Sequence, residues 1–269
     1  MTETIAHLTA GLSPFWLGVL ASLLAGATTG LGALPIFFVT RISVRVQDSL
    51  LGFGAGVMLA ATCFALLVPG IEAGEARFGS ELAGVTAVAI GLLAGASIFF
   101  IANHLLPHEH FIKGHEGPDA RGLRRIWLFV LAIAIHNFPE GMAVGVGFGD
   151  GDLARGTTLM FGIALQNMPE GLVVAVALLS VGYSRAAAFW VALATGLVQP
   201  IGGLFGSAAV VLSDLLLPFA LAFAAGAMLF VISDEIIPET HRKGFEREAT
   251  ASLIIGFVVM MVLDIAIDG

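Results

Sequence analysis

The sequence predicts an all-α integral membrane protein with eight transmembrane helices, an inverted internal repeat and both termini outside. Of the 269 residues, 58% are hydrophobic and 12% are charged, and the mean hydropathy is +0.97. Soluble domains have about a quarter of their residues charged. The apolar residues also occur in runs of about twenty or more, the length that crosses roughly 30 Å of hydrocarbon. The whole chain, 1–269, is therefore predicted to be a single transmembrane domain.

Polar and turn-forming residues divide the apolar sequence into eight stretches, and each stretch is predicted to be one span. The spans lie near 14–40, 47–70, 82–106, 126–149, 154–181, 186–212, 215–237 and 250–268. The loop of about 107–122 is the longest, and its Gly, Pro and His content predicts a flexible cytosolic segment. Asp48, at the start of the second span, is expected to be solvated at the membrane surface.

The basic residues predict the orientation. Ten of the twelve Lys and Arg residues fall in loops on one side of the predicted spans, and the exceptions are Arg77 and Arg155. Because loops rich in Lys and Arg stay in the cytosol, both termini are expected outside. The net charge of −8 is spread over termini and loops, so no nucleic-acid partner is predicted. Cys63 is the single cysteine, which excludes a disulfide framework and a cysteine metal cluster.

Two short sequences recur in spans that run in opposite directions. Residues 55–59 (Ala-Gly-Val-Met-Leu) resemble 225–229 (Ala-Gly-Ala-Met-Leu), and a proline follows each methionine after ten or eleven residues. Residues 137–141 (Asn-Phe-Pro-Glu-Gly) resemble 167–171 (Asn-Met-Pro-Glu-Gly). Inverted repeats on proline-interrupted helices are typical of secondary transporters, which bind substrate near the midplane between the repeats. The alternative is chance similarity between apolar sequences.

The second repeat places carboxylates at membrane depth. Glu140 and Glu170 lie about midway along the fourth and fifth spans, where an unpartnered charge costs a few kcal/mol or more. His136 and Gln166 each precede a glutamate by four residues, so each pair shares one helix face. The prolines of the motifs disturb the preceding turn, and irregular backbone at this depth implies a polar cavity. Four potential ligands therefore converge if the two faces meet.

Imidazole, carboxylate and amide oxygen are ligands that suit Zn²⁺, Fe²⁺, Mn²⁺, Co²⁺, Ni²⁺ or Cd²⁺. Met58, at matching depth in the second span, either adds a soft thioether ligand or packs in the core. Two alternatives without metal stay open at this point: a buried ion pair between His136 and Glu140, and a proton relay.

The motifs at 136–141 and 166–171 resemble the paired signatures of the ZIP (Zrt/Irt-like) metal transporters. Gln166 and residues 233–241 (Ser-Asp-Glu-Ile-Ile-Pro-Glu-Thr-His) resemble the prokaryotic GufA-type branch. The resemblance implies a multi-pass homodimer of the cell (inner) membrane that takes up Zn²⁺, with other divalent metals as further substrates. It implies His136, Glu140, Gln166, Glu170 and Met58 as ligands, and an elevator-like movement of spans one, four, five and six. No catalytic residue and no catalytic cofactor are predicted.

One departure from the family pattern predicts how many metals bind. Relatives with a binuclear centre carry acidic residues at the positions of Asn167 and Gln199. A second metal here would have to be held by Asn137, Asn167, Gln199 and the shared carboxylates, which offers too little negative charge. We therefore expect one high-affinity metal per protomer.

A cytosolic exit for the metal is a further expectation. Glu235 lies within the seventh span, and Glu239 and His241 follow it toward the cytosolic mouth. The resemblance adds the loop histidines as candidates for weak sensing or release: His108, His110 and His115. The alternative for Glu239 and His241 is interface solvation and helix capping, and the loop histidines are equally consistent with an inert loop.

Two other function classes compete with metal transport. A metal held by His and Glu in a wet cavity can activate water, as in an intramembrane metal-dependent hydrolase. His136 and Glu140 lack the second histidine of a His-Glu-x-x-His site, however. A proton- or sodium-coupled carrier of an organic solute would need a larger cavity and no metal.

Overall fold

The computed structural model describes residues 11–39, 42–105, 108–110, 114–116 and 125–268. Within these ranges, eight helices are long and apolar enough to cross a membrane, which confirms the predicted fold class. They are α1 (Pro14–Phe37), α2 (Val44–Phe78), α3 (Glu81–Leu105), α4 (Arg125–Gly149), α5 (Leu153–Ser180), α6 (Arg185–Leu212), α7 (Asp214–Thr240) and α8 (Glu246–Asp268).

A small antiparallel pair of strands lies between α3 and α4. Strand β1 (His108–His110) pairs with β2 (Gly114–Glu116), with Glu109 opposite His115. Both strands fall in the loop 107–122 that was predicted to be flexible. The other residues of that loop lie outside the described ranges, and its flexibility stays a prediction.

The predicted end of the second span at residue 70 was wrong. Pro69 and Gly70 resemble a helix stop, but α2 continues to Phe78. Pro69 stands in the first turn of an α-helical segment that follows a π-helical one, where its missing N–H costs little. The helix ends instead at Gly79, whose φ of 79° is the left-handed conformation that glycine adopts without steric cost.

The Ala-Gly-x-Met-Leu repeat is matched by a repeat in backbone geometry. In α2 this sequence is followed by a π-helical segment, Ala61–Leu67, and then by Pro69. In α7 it is followed by a π-helical segment, Ile232–Ile236, and then by Pro238. Because π-helical turns are rare and often occur at functional sites, their repetition makes chance similarity a poor explanation of the sequence repeat.

The helices pack in two groups. In the first bundle, α1 contacts α4, α5 and α6, and α4 also packs along α6. In the second bundle, α2 packs against α8 and α3 packs against α7. The two bundles meet mainly where α2 contacts α5 and where α4 contacts α7. The motif helices α4 and α5 therefore belong to the first bundle and face the second one.

Candidate metal site

The motif glycines allow neighbouring helices to pack closely against the repeated sequences. A Cβ atom added at Gly141 would lie 1.9 Å from the backbone oxygen of Gln199 on α6. A Cβ atom added at Gly171 would lie 1.9 Å from the backbone oxygen of Thr29 on α1. No side chain fits at such distances, so both positions require glycine. The close approach brings the side chain of Gln199 into the region of the two motifs.

The amide of Gln199 is the centre of a buried polar group, here called the Gln199 cluster. Its Nε2 atom lies 2.7 Å from Asn137 Oδ1, 2.7 Å from Glu140 Oε2 and 3.0 Å from Asn167 Oδ1. Gln166 Nε2 donates to the same Asn167 oxygen at 2.9 Å. A side-chain amide has two N–H bonds, so Gln199 cannot fully satisfy three acceptors. The cluster therefore has more acceptors than hydrogens to share among them.

The two motif asparagines are anchored by the backbone. Asn137 Nδ2 donates to the oxygen of Ile133 one turn earlier in α4, at 2.9 Å. Asn167 Nδ2 donates to the oxygen of Ala25 on α1, at 2.7 Å. Each donor bond turns the other end of the amide, its oxygen, toward Gln199. The inverted repeat thus places two equivalent asparagine oxygens on one nitrogen.

Several buried oxygens around this cluster have no hydrogen-bond partner among the described residues. They are Glu140 Oε1, Gln166 Oε1, Glu170 Oε2 and Gln199 Oε1. The residues that carry them are at most 3% exposed. Unpaired acceptors are costly in a buried setting. A cation would satisfy several of them at once, so this surplus of oxygens is the feature that points to a metal.

His136 has a different partner from the one considered at the sequence level. Its Nε2 atom pairs with Glu235 Oε2 on α7, and both side chains are 3% exposed. The alternative of an ion pair between His136 and Glu140 is therefore not the pairing that the structure shows. A small cavity of about 30 Å³ adjoins the pair and is also lined by Glu170 and Glu239. The contact joins the first bundle to the second.

The predicted ligands are near one another but are not assembled around one point. Within the described ranges, no three His, Cys, Asp or Glu side chains are placed to hold a metal together. Glu140 and Glu170 lie close enough for their like charges to repel each other, whereas Glu170 lies close enough to His136 for a carboxylate and a protonated imidazole to attract each other. Assembly would need His136 to leave Glu235 and the amide of Gln166 to contribute.

Met58 is buried in α2, and its carbonyl accepts a hydrogen bond from Thr62. It lies one turn after Gly54, so both residues share one face of the helix. A Cβ atom at Gly54 would lie 3.5 Å from Gln166 Cβ, which is ordinary contact. This face of α2 therefore passes beside the α5 motif, and Met58 stays a candidate ligand.

The predicted exit residues have separate environments. Glu239 Oε1 lies 3.1 Å from Lys243 Nζ, and His241 bonds to Thr240, Thr250 and the oxygen of Ile237. The backbones of His108, His110 and His115 belong to β1 and β2, and their side chains lie outside the described part of the structure.

The expectation that Asp48 is solvated was wrong. Its side chain is fully buried, and its Oδ1 lies 3.2 Å from Lys243 Nζ. Lys243, in the loop before α8, thus reaches Asp48 near the start of α2. No local pattern in the sequence predicts this contact, because Asp48 and Lys243 are far apart in the chain.

In the described part of the chain, eight apolar helices around a buried cluster of carboxylate, amide and imidazole groups define a polytopic membrane protein with a polar site inside its bundle. Residues 107–264 match the family model described as ZIP Zinc transporter. The chain belongs to the ZIP family.

Named relatives place the chain in the GufA-type branch of that family. It is 47% identical to the zinc transporter GufA of Myxococcus xanthus, over 93% of this chain and 98% of the relative. It is also 47% identical to the zinc transporter ZIPB of Bordetella bronchiseptica, over 90% of this chain and 78% of the relative. The zinc transporter ZIP11 of Homo sapiens is 34% identical, over 96% of this chain and 99% of the relative. The sequence-level assignment to this family and branch is thus confirmed.

Proposed function

We propose that the protein carries divalent transition-metal ions across the cell membrane toward the cytosol, with Zn²⁺ as the main substrate and Cd²⁺, Fe²⁺ and Mn²⁺ as further ones. The observation that carries this proposal is the surplus of buried oxygen acceptors beside a buried imidazole. That donor set suits a borderline divalent metal better than an alkali ion. The zinc transporters named above, at up to 47% identity, support the same substrate class.

The substrate site comprises His136, Glu140, Gln166 and Glu170, with Met58 as a contribution from α2. The two carboxylates balance the charge of one divalent ion, and the amide and imidazole complete the coordination without adding charge. Asn137, Asn167 and Gln199 shape the adjacent polar region. Since these three residues bring no negative charge, we propose one tightly bound metal per protomer.

Transport proceeds by an elevator-like movement of the first bundle against the second. The division of the helices into α1, α4, α5 and α6 on one side and the remainder on the other supports this. The moving bundle carries Glu140 and Glu170 together, because both lie in the first bundle. The interface is crossed by the pair of His136 and Glu235, which must break and re-form as the bundles move.

A conformation open to the cytosol is part of this proposal. A cavity of about 380 Å³ opens where α2 begins and α7 ends, and Lys243 is among its lining residues. That end of the bundle carries the loops rich in Lys and Arg, which the positive-inside rule assigns to the cytosol. The termini are then outside. We further propose a multi-pass homodimer in the inner membrane, on the basis of the family resemblance.

The test is uptake of radioactive zinc by liposomes that contain the purified protein. Wild type is compared with Glu140→Gln and Glu170→Gln, and exposed Glu72→Gln is the matched control. We expect uptake by wild type and the control, and a loss of at least roughly tenfold in the two site variants. No uptake by wild type would overturn the proposal, and if metal still bound normally it would favour the hydrolase.

A further inference from the structure

Two adjoining cavities form a route from the candidate site to the end of the bundle. The small cavity beside His136 and the larger one share Leu51, Val173 and Glu239 as lining residues. Of these three, only Glu239 is charged. A cation that moves from His136 and Glu170 through these cavities toward the end of the bundle therefore passes Glu239. Lys243, in the loop that follows α7, also lines the larger cavity.

Lys243 bridges two buried carboxylates at this outlet. Its Nζ atom lies 3.2 Å from Asp48 Oδ1 on α2 and 3.1 Å from Glu239 Oε1 on α7. The Lys243 side chain is 13% exposed, and those of Asp48 and Glu239 are 0% and 10% exposed. Charges that are this well buried persist only when they are paired. The ammonium group is thus the cation that compensates both carboxylates.

Without the ammonium group, the outlet would attract the substrate itself. Asp48 Oδ2 and Glu239 Oε2 are buried and have no hydrogen-bond partner among the described residues. Two carboxylates in such a place provide hard oxygen ligands and two negative charges for a divalent cation. An ion leaving the central site would then be held at the outlet, and the rate of its release would fall.

We propose that Lys243 is a positioning residue for release: its tethered ammonium group fills the space between Asp48 and Glu239, so that a departing divalent ion passes without being retained. This inference rests on the proposed function, since it assumes that the ion leaves by this route. Lys243 itself does not ligate the substrate. It acts by occupying the two carboxylates that would otherwise bind it.

The experiment compares zinc binding and zinc flux in variants of the full-length protein. Lys243→Met removes the charge and keeps the length, and Arg242→Met removes the same charge from an exposed neighbour. Zinc bound per protomer is measured by equilibrium dialysis, and zinc uptake is measured in liposomes. We expect Lys243→Met to hold about one additional Zn²⁺ and to transport roughly tenfold more slowly. Arg242→Met and Lys243→Arg should match wild type in both measurements.

A rescue separates this role from a structural one. In Lys243→Met combined with Asp48→Asn, one carboxylate is gone, so the additional zinc should be lost and the flux should recover. Lys243→Gln also removes the positive charge but keeps a polar side chain, so it carries the same expectation as Lys243→Met and replaces it if that variant does not fold.

Two results would overturn the inference. One is that Lys243→Met matches Arg242→Met in binding and flux. The other is that its flux falls with no additional zinc bound and no rescue by Asp48→Asn, as for a purely structural residue. A wild-type protein that carries no zinc would instead contradict the proposed function, and the binding comparison would still decide whether Lys243 keeps a divalent ion from this pair of carboxylates.

Discussion

His136 on α4 is paired with Glu235 on α7, across the interface between the two bundles. The nitrogen that forms this pair, Nε2, cannot hold a metal ion and Glu235 in the same way at once. If His136 is a ligand, metal binding and the contact between the bundles therefore compete for one imidazole. Metal binding at the site would therefore be coupled to the relative position of the two bundles through His136 itself.

The competition predicts how Glu235 affects affinity. Glu235→Gln weakens the pair with His136, so the proposed ligand is released at lower cost and zinc should bind more tightly. A saving of about 1–2 kcal/mol corresponds to a Kd lower by roughly five- to thirtyfold. The measurement is a zinc titration of purified protein, with exposed Glu72→Gln as the control. A Kd that rises in Glu235→Gln would show instead that Glu235 helps to hold the metal.

Zinc should also stabilise the folded protein through the same residues. A ligand at about one hundred times its Kd adds about 2.7 kcal/mol to the free energy of unfolding. We expect the Tm of wild type and of Glu72→Gln to rise with zinc, and the Tm of Glu140→Gln to rise much less. A thermal unfolding series in detergent over a range of zinc concentrations provides this measurement. Equal shifts in all three proteins would place the stabilising zinc elsewhere.

The close packing at Gly141 predicts a large difference between two glycine substitutions. In Gly141→Ala the new methyl group meets the backbone of Gln199 at 1.9 Å, so α4 and α6 must separate. We expect a loss of roughly 1–3 kcal/mol in stability, together with reduced transport.

Gly54→Ala serves as the control for this substitution. The new methyl group would lie 3.5 Å from Gln166 Cβ, which is ordinary contact. Alanine also has a higher helix propensity than glycine, so the stability should be unchanged or higher by up to about 1 kcal/mol. Thermal unfolding of both variants checks the pair. Similar stability for the two variants would show that the packing of α6 on α4 is looser than the structure describes.

The charge of the Gln199 cluster predicts the number of metals. In wild type the amides of Asn167 and Gln199 provide no negative charge, so we expect one tightly bound zinc per protomer. Asn167→Asp combined with Gln199→Glu supplies two carboxylates next to Glu140, which offset the charge of a second ion. Direct metal analysis after dialysis should then give about two zinc ions per protomer. Two ions in the wild type, or one in the double variant, would contradict this explanation.

The sequence predicted part of the site and missed the rest for a specific reason. Glu140 and Glu170 stand out because a carboxylate at membrane depth is costly, and the repeat connected the two helices that carry them. Gln199 was considered only as a weak second ligand, yet its amide touches Asn137, Glu140 and Asn167. Its central place depends on the distance between α4 and α6, which Gly141 allows and which no local pattern reports.

The sequence by itself determined the eight spans, because the hydrocarbon thickness dictates the length and composition of each span. It also determined the family, because the Pro-Glu-Gly motifs are local and can be recognised without the fold. The tertiary structure alone decided which side chains meet: His136 with Glu235, and Asp48 with Lys243 rather than with water. Such partners come from segments that are far apart in the chain. A charge buried in the protein needs a partner, and the packing of the helices determines which side chain is that partner.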